Sequence, residues 1–190
     1  MSDKVFENLS GKILIASPYL MEGNVFHKSI IYVLSHTKSG SVGLITNRFM
    51  HSMSFKSLFK FLDNRPEAEK LSLKVHMGGP VEPERAFFLH SGEYDKNLLF
   101  KFQDNIAVSS NTDILDDILV GKGPQKSMFF VGYTGWAAGQ LEDEMEDNFW
   151  IVSDFEQGLI FTQENEDKWR IALQRLGIEG DCFNPNIGYC

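Results

Sequence analysis

Apolar positions along this 190-residue chain come in short runs rather than in one long stripe. Runs of strand length occupy 12–16, 29–34, 42–46, 73–77, 86–90, 106–109, 128–133, 149–152 and 159–162. Ile, Val and Phe crowd several of them, and Gly, Asn, Asp or Pro bounds them, as expected of strands cut by turns. SHTKSGSVG joins two runs and predicts a hairpin, with Gly40 taking the positive φ that a tight turn requires. Helical spacing appears four times. Ser54 caps a segment that carries Phe55, Leu58, Phe59 and Leu62 on one side. DILDDILVG aligns Ile114, Leu115, Ile118 and Leu119 and stops at Gly121. QLEDEMEDN is the third helix, and ENEDKWRIALQRLG the fourth, gathering Trp169, Ala172, Leu173 and Leu176 ahead of Gly177.

Strands outnumber helices and follow one another in groups, so the pattern predicts α+β rather than a regular βαβ alternation. No Pro/Gly/Ser-rich linker, repeat or low-complexity run divides the chain. One domain over 1–190 is expected, with a short N-terminal extension (1–10) and an irregular C-terminal tail (178–190).

Composition sharpens this in three places. Hydrophobic residues at 43% and charged residues at 23% are those of a folded globular protein. Phe is in surplus, 16 copies against 3 Trp and 5 Tyr, and a ring without a polar handle points to a large dry core. The net charge of −8 argues against direct nucleic-acid binding, which relies on Lys and Arg neutralising phosphates. Cys182 and Cys190 lie near the C-terminus without a CxxC or His/Cys spacing. Zinc therefore has no support, and free thiols are expected. The first twenty residues read as neither a signal peptide nor a membrane span, so a cytoplasmic location with no membrane partner is expected.

Two stretches stand out chemically. In HMGGPVEPERAFFLH, Gly78 and Gly79 free the backbone and Pro80 and Pro83 then fix it, the signature of a rigid strand-to-strand turn. Neither GxxxxGK[ST] nor GxGxxG is present, so it is no phosphate loop. In GYTGWAAGQLEDEMEDNFW, a strand runs through Gly132 and Gly135 into a helix after Gly139. Trp136 is expected to plug that turn, Leu141 and Met145 to face the core, and Glu142, Asp143, Glu144, Glu146 and Asp147 to form a solvated, capping face.

GGPVEPERAFFLH, GYTGWAAGQLEDE and the early GKILIASPYL and GSVGLITNR make the chain resemble the YqgE/AlgH family of bacterial proteins, in order over 11–188. The resemblance implies one α+β domain with a strongly curved, largely antiparallel sheet and about four packed helices. It implies no established reaction. AlgH-type members have been described as transcriptional regulators associated with alginate production. The chain departs from the family pattern where Phe49, not proline, follows Asn47-Arg48. It departs again at Leu34, where members often carry a cysteine, so no thiol role transfers.

The polar and glycine positions to weigh as a pocket are His36, Asn47, Gly78, Gly79, Arg85, His90, Tyr133, Trp136, Gln140 and Glu142, with Asp113 beside them. A His with a nearby carboxylate suits acid–base work and Arg85 suits an anion. No GxSxG nucleophile is present, and His36 and His90 lack a third metal ligand at suitable spacing. The expectation is a protein without catalytic residues or cofactor that acts on an unknown protein or small-molecule partner through the surface around GGPV and GYTGW. The alternative is a small-ligand-binding protein or hydrolase using a cleft near Arg85, His90 and Glu142.

Overall fold

Gly132 sits midway along one of the two longest strands with φ of 68°, and the sheet is organised around that point. The computed structural model describes residues 7–20, 23–50, 74–111, 113–162 and 164–178. Its strands are β1 (Ile13–Ala16), β2 (Ile30–Thr37), β3 (Gly40–Ile45), β4 (Val75–Met77), β5 (Val81–Ser91), β6 (Leu98–Phe102), β7 (Ile106–Ser109), β8 (Ser127–Ala137) and β9 (Trp150–Ser153). The described helices are α1 (Asp113–Leu119), α2 (Gln140–Glu146), α3 (Gln157–Thr162) and α4 (Asn165–Arg175). The strands form one mixed, strongly curled half-barrel in the order β6-β7-β5-β8-β3-β2-β1-β9, with β4 added to β8 in parallel. This is the α+β domain that the apolar runs predict.

Up to Gly132, β8 pairs antiparallel with β5 and parallel with β4; Tyr133 keeps one last pair with β5, and from Thr134 the strand pairs with β3. The exchange of partners explains both glycine motifs at once. Gly78 N–H donates to Val131 O at 2.9 Å, and a Cβ on Gly78 would lie 2.3 Å from Gly132 O. A Cβ on Gly79 would lie 2.2 Å from the Tyr133 carbonyl carbon. Backbone meets backbone here, and any side chain would separate the strands. GGPV and GYTGW, 54 positions apart at their first glycines by the numbering, are two halves of one junction.

Successive strand residues point to opposite faces. Ile13 and Ile15, Tyr32 and Leu34, Phe87 and Leu89, and Met128 and Phe130 join one large core with α3 and α4. Their alternate neighbours bury the other face in two parts. Leu14, Ile31, Val33, Trp136, Leu141 and Trp150 pack beside α2, while Ala86, Phe88, Phe129 and Val131 pack under Ile114 and Leu115 of α1. Burial on both faces is why the strands read as continuous apolar runs, and it accounts for much of the Phe surplus.

Several expectations need correction. The run 159–162 is helical as part of α3, with Leu159 and Ile160 buried; periodicity in so short an apolar run does not separate a strand from a helix. Strand β6 was not anticipated, because LLFKF is an edge strand whose exposure alternates. Leu176 is largely exposed, and Lys168 takes the buried place on α4 instead. The hairpin at Gly40 forms as expected, with φ of 135°. The segment around Ser54, most of the two terminal segments and both cysteines lie outside the described residues.

Candidate functional site

The predicted side chains do not converge on one place. The first group lies where β8 enters α2. His36, buried on β2, accepts a hydrogen bond at Nδ1 from Leu9 N–H (3.1 Å), which places its proton on Nε2. That Nε2–H donates to Glu142 Oε1 at 3.2 Å. With one nitrogen occupied by backbone and the other donating to a carboxylate, His36 keeps no free lone pair with which to act as a base.

Trp136 is 5% exposed and does plug the turn, stacked on Phe26 at 6.4 Å and edge-on to Trp150 at 6.1 Å. Glu144 overturns the solvated reading of the acidic run. Its Oε2 accepts from Trp136 Nε1–H (2.8 Å) and Trp150 Nε1–H (2.7 Å), and its Oε1 accepts from Gln140 Nε2–H (2.9 Å). Gln140 closes the circuit by accepting from Ala137 N–H at 3.0 Å. Two buried indoles need acceptors, and one helix turn after Gln140 is where a carboxylate reaches them.

The second group is a bulge on β5. Val81 pairs with Tyr133 and Ala86 with Val131, so five steps on β5 match two on β8 and residues 82–85 are pushed out of the sheet. Glu82 adopts φ of 44°, a strained value for a side-chain-bearing residue. Tyr133 Oη–H donates to its Oε1 (3.0 Å) and Arg85 to its Oε2 (3.3 Å), while the Arg85 guanidinium lies 5.2 Å from the Phe87 ring centroid.

Asn47 and His90 stand apart as staples. Asn47 Oδ1 accepts from Ile30 N–H (2.9 Å) and its Nδ2–H donates to Lys28 O (2.8 Å). His90 Nδ1–H donates to Ser91 O (3.0 Å), and Nε2 accepts from Ser109 Oγ–H (3.0 Å). Burial holds His90 below the ordinary histidine value. Asp113 is held by Asn111 at the start of α1. Arg85, His90 and Glu142 thus have separate partners, and none of them lines the clefts around Phe149, Phe102 or His76. Among the described residues no three His, Cys, Asp or Glu side chains are grouped to hold a metal.

Comparison with known proteins places the chain. The AlgH-like family model matches residues 13–181. UPF0301 proteins of Rickettsia prowazekii and Rickettsia canadensis are 48% and 49% identical over 188 residues, covering 99% of both chains in each comparison. The chain belongs to the AlgH-like, UPF0301 family. The solution structure of AlgH from Pseudomonas aeruginosa superposes with a TM-score of 0.75 at 29% identity over 100% of both chains. A crystal structure of a Corynebacterium diphtheriae protein, 19% identical, shares the fold with a TM-score of 0.70 over 90% of this chain and 89% of that one.

This AlgH-like chain uses its two departures structurally. Leu34, at the position where a cysteine is often found, is buried in the main core. Phe49 bridges to His76, and their rings lie 4.9 Å apart. His76 opens the GGPV stretch but was not among the predicted positions, and nor were Asn165 and Lys168. All three are buried and line one cleft with Phe49. Burial, with the Lys168 charge adding to it, pushes His76 down to about 4, and burial pushes Lys168 down to about 8. A signal existed: residues 165, 168 and 172 fall on one helical stripe with the core residue Ala172. The charge of Lys168 hid it.

Proposed function

We propose that the protein acts by binding a partner, through the bulge at 82–85 and Tyr133, and that it has no catalytic centre. The observation that carries this reading is the locked, outward geometry of that bulge. Glu82, Pro83, Glu84 and Arg85 are exposed, yet Glu82 is pinned from two sides by Tyr133 and Arg85. A preformed protrusion loses little freedom on association, and backbone strain is commonly kept where function needs a fixed shape. His36, Asn47 and His90, by contrast, use both polar side-chain atoms on structural bonds.

A regulatory role of the AlgH type would on this reading run through a protein partner in the cytoplasm rather than through DNA. Of the basic residues on α4, Lys168 is buried, Arg170 pairs with Asp167 at 2.8 Å and Arg175 pairs with Glu156. No helix among the described residues is long and apolar enough to cross a membrane. The alternative of a ligand or hydrolase cleft near Arg85, His90 and Glu142 gains nothing from three side chains without a common partner.

The test pairs folding with function in cells. Arg85→Ala and Glu84→Lys should melt like wild type and fail to complement a deletion strain. Full complementation by both variants would refute the reading, as would a sequence-selective, salt-dependent duplex shift at nanomolar protein.

A further inference from the structure

One cleft gathers buried polar groups that their neighbours leave incompletely satisfied. It lies between β4, the end of α3 and the start of α4, and holds about 320 Å³, at the small end of ligand pockets, which span roughly 300–1,000 Å³. Lys168 is 1% exposed. Its Nζ donates to Thr46 O (3.0 Å) and Ile160 O (2.6 Å), while the Glu164 carboxylate favours its charged form without a hydrogen bond to it. An ammonium has three protons, so one remains. Asn165, the first residue of α4, is 5% exposed; its side chain is hydrogen-bonded to His76, but its Nδ2 meets no acceptor. The two are three positions apart on one helix and therefore neighbours on its surface. Buried charges are ordinarily paired and buried amides hydrogen-bonded.

A purely structural role explains part of this. Lys168 ties the end of β3 to α3 through the two carbonyls. That role leaves the Asn165 amide nitrogen unmet and one ammonium proton unused in the same recess. The positive end of the α4 dipole adds to both.

We propose that this cleft binds a small organic monocarboxylate, one carboxylate oxygen accepting from Lys168 Nζ and the other from Asn165 Nδ2. One buried cation compensates one negative charge. Lys74, Lys168 and Glu164 together leave the cleft one net positive charge, with Glu164 acting on Lys168, so a dianion such as phosphate would keep unmatched charge. His76 donates Nδ1–H to Phe129 O (3.2 Å) and is neutral near pH 7, so it adds no second cation. The rings of Phe49 and Phe129 supply apolar wall for a short carbon body. The site shares no residue with the bulge at 82–85, so either reading stands or falls without the other.

The test is a titration of the ¹⁵N-labelled full-length protein with sodium benzoate, sodium pyruvate and inorganic phosphate at constant ionic strength, following the Asn165 side-chain amide by NMR. At least one carboxylate should give a saturable shift, and phosphate none. Lys168→Met and Asn165→Ser should each weaken that binding by about tenfold or more. Raising the pH from 7 to 9.5 should weaken it too, because Lys168 loses its charge through about 8. Asn165→Ser leaves both carbonyl bonds of Lys168 in place and decides the matter should Lys168→Met fold poorly. No saturable shift with either carboxylate, undiminished affinity in Asn165→Ser, or equal binding of phosphate would each overturn the proposal.

Discussion

The α2 end of the sheet and the α4 cleft both bury polar side chains, and they treat them in opposite ways. Around Glu144 every hydrogen-bonding atom of the network finds a match: two indole N–H groups on one carboxylate oxygen, an amide on the other, and that amide's oxygen on a backbone N–H. Around Lys168 donors exceed acceptors among the described residues: two carbonyls meet the ammonium, and the Asn165 amide nitrogen meets no acceptor. A closed network rigidifies a junction, whereas an open one leaves bonding capacity for something else. The difference is not legible from residue type, since the acidic run reads as a solvated face although Glu144 is held by two indoles.

The largest expected effect lies at the closed end. Trp136→Ala removes the ring packed on Phe26 and Trp150 and should cost about 3–5 kcal/mol in a denaturant titration. A loss under about 1 kcal/mol would mean that the junction is held by its glycine contacts alone.

At the open end the expected signature is pH dependence. His76 has its folded value near 4 against 6.5 unfolded, so the unfolded chain binds the proton first as pH falls. Stability should therefore drop between pH 6.5 and 4, by up to about 3 kcal/mol at roughly 1.4 kcal/mol per pKa unit. Lys168 is depressed to about 8 from 10.5, so the unfolded chain again holds the proton longer. Between pH 8 and 10.5 stability should rise by a similar amount. Other groups titrate in both windows, so the measurement is the difference between wild type and His76→Phe on the acid side and Lys168→Met on the alkaline side. Profiles parallel to wild type in both variants would show that the cleft is hydrated and its charges solvated.

Next in size is Glu144→Ala, which strands two indole donors on residues that are nearly buried. It should cost about 1–3 kcal/mol, and Asp147→Asn, exposed at the end of α2, almost nothing. Equal, negligible losses from both would return Glu144 to the solvated face that the sequence suggests.

Much of the fold was readable from the chain because β-periodicity and glycine act locally. The strand runs, the Gly40 hairpin, the helix ends at Gly121 and Gly177 and the plug at Trp136 each depend on a few adjacent residues. The strand that proved to be α3 failed for the same reason, as its register is decided by packing against α4. The polar residues depended on distant partners. Nothing near Glu144 in sequence announces that Trp150 will share its oxygen with Trp136. Lys168 is buried because Thr46 O and Ile160 O, 122 and 8 positions away, both accept from it. Site residues chosen by type and motif therefore fell mostly on staples, while Lys168 and Asn165 sat on a helix read for its apolar face.

The smallest effect is the finest probe of closure. Gln140 is exposed, and its two bonds, to Ala137 N–H and Glu144 Oε1, are ones that water replaces at little cost. Gln140→Ala should lower stability by about 0.5–1.5 kcal/mol, partly offset by the better helix propensity of alanine. Gln140→Glu keeps the acceptor for Ala137 N–H but sets a carboxylate one turn from Glu144. Like charges at i,i+4 cost a few tenths of a kcal/mol, about 0.2–0.5, so Gln140→Glu should gain on wild type as pH falls through the carboxylate range. If Gln140→Ala instead cost as much as Glu144→Ala, the network would act as one cooperative unit, with its exposed member as critical as its centre.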